Sequence, residues 1–153
     1  MEDDDLKLEM MAYKVMADSA EKTQDRRQQA NNFFIGVNLA IAAGYTFLVK
    51  TEQQMLIFPA AAVAVGACLL WALTLWYYRS LSSAKFQMLG EFEVEKGIPG
   101  YQREWEIFSA RHPFGKRRIS LALIELIFAV MAGAAHIVAA FVLQNVHELA
   151  KGG

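Results

Sequence analysis

The chain has 153 residues, 55% of them hydrophobic, with a formal net charge of −1 at pH 7 and one cysteine, Cys68. These figures exclude two large domains, a globally basic nucleic-acid binder, an internal disulfide framework and a cysteine-cluster metal site. The charges sit in blocks separated by long uncharged runs, which is the pattern of an integral membrane protein.

The N-terminus, Met1 to Asp5, is acidic where a secretory leader begins basic, so no cleavable leader is expected. Residues 5–32 hold no glycine or proline, and Leu6, Met10, Tyr13, Ala17 and Ala20 recur at three- and four-residue spacing. This predicts an amphipathic helix filling the N-terminal segment, residues 1–32, whose apolar stripe packs on a neighbouring element or subunit. Residues 33–49 form a first apolar run, interrupted by Asn38, Tyr45 and Thr46, and residues 50–54 a short polar turn. Residues 55–78 carry no charge at all. Residues 119–143 form a third run holding one carboxylate, Glu125, and one imidazole, His136. Each run is long enough for a helix to cross about 30 Å of hydrocarbon.

Between the second and third runs, residues 79–118 are charged. The second helix is expected to continue to Lys96, with Leu81, Lys85, Met88, Leu89 and Phe92 on one face. Gly97 to Gly100 then breaks it, a short helix covers Tyr101 to Arg111, and His112 to Gly115 turns the chain back. Thirteen of the fifteen lysines and arginines lie in residues 1–32 and 79–118. Basic flanks resist translocation, so these segments are assigned to the cytoplasm and the 144–153 tail to the outside. The expected fold class is therefore all-α: a three-span membrane protein with an N-terminal amphipathic helix and a cytoplasmic helical hairpin.

Searching for chemistry yields no assembled acid, base or nucleophile, no phosphate loop and no metal-binding spacing, so no enzyme, cofactor or metal is expected. His112, His136 and His147 fall in three separate segments. Lys116, Arg117 and Arg118 read as an anchor on anionic lipid rather than a nucleic-acid patch. Glu125 is costly inside an apolar run and shares a helix face with Ala129, Ala132, His136 and Ala140. That small, polar face suits either a close helix contact or the wall of a pore. Glu125 pairing with Arg117 or Arg118 is an equal alternative, and His136 alone suits a packing role. Asn38, with Asn31 and Asn32 before it, would seek partners across helices. Gly36, Ala40 and Gly44 repeat every four residues, as do Ala62 and Gly66, and small residues so spaced let helices approach closely. A three-helix protomer is thin, so self-association is the economical account. Below the membrane, Arg26, Arg27 and Lys85 call for a counter-charge, which Glu104 offers.

Two stretches carry a resemblance: Arg26-Arg27-Gln28-Gln29-Ala30-Asn31-Asn32-Phe33-Phe34, and Tyr78-Arg79-Ser80-Leu81-Ser82-Ser83-Ala84-Lys85-Phe86 followed by Glu104-Trp105. Together they resemble the RipA family of small bacterial octameric membrane proteins, over roughly residues 13–130. Ser82-Ser83 stands where that pattern commonly has Asn-Ser, and no proline follows Glu125. The resemblance implies a ring-shaped homo-oligomer of eight copies in the inner membrane, and adds Asn31, Arg79 and Trp105 to the assembly network beneath the membrane. The small, polar face of the third run and the apolar stripes left on the cytoplasmic helices lead to a pore or channel-like ring, with antiphage defence as a use by analogy. The alternative is a membrane-anchored scaffold or sensor whose hairpin binds a cytoplasmic protein.

Overall fold

The computed structural model describes residues 2–98, 100–111 and 121–152, and the regular elements among them are all helical. Helix α1 runs Glu2–Lys50, α2 Ile57–Lys96, α3 Tyr101–Arg111 and α4 Leu121–Gly152, with a 3-10 turn at Gln54–Leu56. α1 is unbroken because no proline interrupts it and its glycines lie in the apolar half, where hydrocarbon offers the backbone no competing partner. Windows within Lys7–Lys50, Gln54–Lys96 and Leu123–Val146 are long and apolar enough to cross a membrane.

Two turns end their helices by the same device. After α2, Ile98 N–H donates to Glu93 O at 3.0 Å and Gly97 N–H to Val94 O at 3.4 Å, with Gly97 left-handed at φ 65°. After α1, Gln53 N–H donates to Leu48 O at 3.0 Å and Glu52 N–H to Val49 O at 3.3 Å. These paired bonds satisfy the last carbonyls of each helix and require a left-handed residue just past its end. In the first turn that residue is not glycine but Glu52, at φ 59°.

The chain divides into two units. A charged unit comprises Met1–Gln28 and Tyr77–Leu121, and an apolar unit comprises Gln29–Trp76 and Ala122–Gly153. α1 and α2 contribute to both. In the charged unit Ala20 and Leu89 are fully buried, and Tyr13 stacks on Phe92 with ring centroids 5.9 Å apart. In the apolar unit, Trp71, Leu75 and Ala129 form one core cluster, and Tyr45, Ile57, Ala61 and Ala140 another.

Several expectations need adjusting. The tail expected at 144–153 continues α4 as far as Gly152. Met10 of the α1 stripe and Met88 of the α2 face are exposed in the single protomer, while the side chain of Leu6 lies outside the described residues. On α1 the face packed within the protomer runs through Tyr13, Met16, Ala17, Ala20, Thr23 and Gln24. Tyr13, Ala17 and Ala20 of the expected stripe lie on this face, joined there by the polar Thr23 and Gln24. The turn at His112 to Gly115, together with Lys116, Arg117 and Arg118, lies outside the described residues.

Candidate functional site

In the apolar unit one asparagine joins all three long helices. Asn38 on α1 donates its Nδ2 to the Phe34 carbonyl one turn back, at 2.7 Å, which aims Oδ1 at the other helices. That oxygen accepts from Cys68 Sγ of α2 at 3.1 Å and lies 2.9 Å from His136 Nε2 of α4. With Oδ1 accepting both, Nε2 must carry the imidazole proton and Cys68 must be a thiol. Cys68 and His136 are both buried, and Tyr45 meets the imidazole edge-on at 5.7 Å. α2 and α4 approach closely here, for a Cβ on Gly133 would sit 3.3 Å from Cys68 Cβ. A second cross-helix bond runs from Trp71 Nε1 to Asn31 Oδ1 at 3.0 Å. Asn31 thus acts within the apolar unit.

These contacts place the α4 face drawn from the sequence. Ala129, His136 and Ala140 are buried, and Glu125 and Ala132 are half-buried, so the small, polar face turns into its own three-helix bundle. Asn38 and His136 meet each other there. The small residues of α1 do the opposite: Gly36, Ala40 and Gly44 are exposed, as is Ala62 of α2, while Gly66 is half-buried.

The charged unit is organised by a carboxylate that the sequence did not single out. Glu93, 2% exposed, accepts from Tyr13 Oη and from the Tyr101 backbone N–H, both at 2.9 Å on Oε1. One oxygen thereby fastens α1, α2 and the start of α3. Burial, together with the bond to Glu93, pushes the Tyr13 phenol up to about 12. Gly100 is held to glycine, because a Cβ there would run into Glu93 Oε1, which its two hydrogen bonds keep in place. Around this centre Lys96 pairs with Glu9 at 2.6 Å, which raises the Lys96 ammonium, and Gln24 donates to Ser82 at 2.8 Å.

Lys85 gives its Nζ protons to Ser19 O, Ser19 Oγ and Thr23 Oγ1 at 2.7–2.9 Å, so it clamps α2 to α1 through neutral oxygens. Glu104 and Trp105 stand exposed on α3, where Trp105 stacks on Phe108 at 5.7 Å. Arg26 is exposed, and Arg27 and Arg79 are half-buried. Among the described residues no group of three or more His, Cys, Asp or Glu could hold a metal ion.

The model of the octameric membrane protein family matches residues 10–144. The chain belongs to that family. No curated protein and no solved structure matches it. Membership of the octameric family makes the chain a self-associating membrane protein, and the resemblance noted in the RRQxANxFF and YRxLxxAKF stretches points to the same group.

Proposed function

We propose that the chain forms an eight-membered ring in the bacterial inner membrane that acts as a pore, with the charged unit in the cytoplasm. The family supports the ring, and the thirteen basic residues in residues 1–32 and 79–118 support the orientation. Glu125 carries the pore reading. It is the one carboxylate in the three apolar runs, and a carboxylate so placed is costly and faces protein or water. Asn38 and His136 engage each other inside the protomer, so Glu125, half-buried at the end of the same α4 face, is the polar side chain that a lumen between protomers would draw on. A lumen ringed by carboxylates prefers cations. The reading involves no catalysis, cofactor or nucleic acid, and rests its use in antiphage defence on analogy with other membrane pores.

The test is conductance of the purified octamer in a planar bilayer. A cation-preferring, pH-sensitive current is expected, and Glu125→Gln should weaken the cation preference and flatten the pH response with the octamer intact. An intact octamer that passes no ions retires the pore. That outcome favours the second reading, a membrane-anchored scaffold or sensor binding a cytoplasmic protein, which has its own observation. Leu8, Met11, Val15, Trp105, Ile107 and Phe108 of the charged unit are all exposed, more apolar surface than a water-facing unit keeps without a partner.

A further inference from the structure

We propose that neighbouring protomers of the ring meet through α1 of one copy and α4 of the next, at the level of the Asn38–His136 contact. The proposal rests on the eightfold assembly and stands whether or not the ring conducts. In hydrocarbon, apolar surface gains nothing by leaving lipid, so helices associate where backbones come close and side chains interlock. The outward face of α1 meets the first condition: Gly36, Ala40, Ala43 and Gly44 are all exposed, and a Cβ on Gly36 or Gly44 would find no atom within 4 Å. Beside it lies an apolar hollow of about 330 Å³, lined by Ile41, Gly44, Phe47, Leu48, Ala60 and Val63. The outward face of α2 is built differently, with Leu69, Leu70 and Leu73 exposed.

A closed ring joins each copy to the next by two different patches, and rotation about the membrane normal keeps every residue at its own depth. The partner patch must therefore lie level with Gly36 to Gly44. Contacts inside the apolar unit fix that level: Asn38 touches His136, and Tyr45 packs with Ala140. The segment of α4 at this depth exposes Ala134 and Ala135, flanked by Met131 and Val138, with Phe141 exposed one turn on. Two alanines against the glycine-rich face allow the close approach, and a large flanking side chain is available for the hollow.

The experiment pairs two cysteines in the full chain, Ala40→Cys with Ala135→Cys, and oxidises the membranes with copper phenanthroline. A cross-linked ladder rising to eight copies is expected, with none from either single variant. A ladder that stops at two copies, or none while mass measurement in detergent still gives an octamer, overturns the proposal. As a second measurement, Ala40→Trp should lower the assembly number with helicity by circular dichroism unchanged, whereas Leu73→Trp should leave the octamer whole. An octamer that survives Ala40→Trp also overturns it.

Discussion

Tyr13 and Glu93 show what a buried charge needs in order to be tolerated. A carboxylate out of water loses its hydration and must recover it from donors, here a phenol and the Tyr101 backbone N–H. Hydrogen bonds to a charged group are each worth about 1.5–3 kcal/mol net, so Glu93→Gln should destabilise the charged unit by about that amount. Urea or thermal unfolding followed on the full chain in detergent measures it. Linkage supplies a second readout. The Tyr13 phenol titrates at about 12 in the folded state against the ordinary 10.0, so its contribution is complete below pH 10 and fades as pH climbs towards 12. Tyr13→Phe should lower stability at neutral pH and flatten this alkaline loss; an unchanged alkaline profile would assign the loss to another group. No motif marks Glu93 in the sequence, since it is one of three glutamates alternating through Glu91 to Glu95. Only its position on the buried side of α2 distinguishes it.

At the scale of elements, local chemistry was legible wherever the backbone itself decides. Gly97 to Gly100 marked the end of α2, and α3 begins at Tyr101 and ends at Arg111 where the sequence placed it. Uncharged runs located the apolar parts of α1, α2 and α4, because hydrocarbon leaves a helix little choice of composition. Facing directions were less legible. Tertiary bonds such as Lys85 to Ser19 and Thr23, or Asn38 to Cys68 and His136, are made by polar residues that apolar periodicity ignores. The turn after α1 offers a test of local chemistry alone. Glu52 occupies the left-handed position that Gly97 fills after α2, a conformation costing a non-glycine residue about 1–2 kcal/mol. Glycine loses more chain entropy on folding, which offsets part of the gain. Glu52→Gly should therefore raise thermal stability by roughly 0.5–1 kcal/mol, the difference between those two effects. A loss instead would mean that the Glu52 side chain makes a contact in the assembled ring.

For the whole molecule, two media demand two kinds of adhesion. In the apolar unit the helices meet through close packing and a few polar bonds, because lipid solvates an exposed leucine as well as another leucine does. The charged unit obeys the opposite rule, since water penalises exposed apolar area by about 25 cal/mol per Å². Leu8, Met11 and Val15 form one outward stripe on α1, each about two-thirds exposed. They lie on the opposite side of the helix from the face that holds Tyr13 and Ala20. In the proposed ring, the charged unit of a neighbouring copy would cover that stripe. Burying one such side chain fully is worth about 1.5–3 kcal/mol, so the triple variant Leu8→Ser, Met11→Ser, Val15→Ser should shift the assembly towards smaller species at low protein concentration. Because these side chains avoid the Glu93 and Lys85 contacts, each charged unit should keep its helicity and its alkaline Tyr13 transition. Mass photometry in detergent across a dilution series reads the result. An octamer unchanged on dilution would free the stripe for a different protein, and the scaffold reading would then gain the surface it requires.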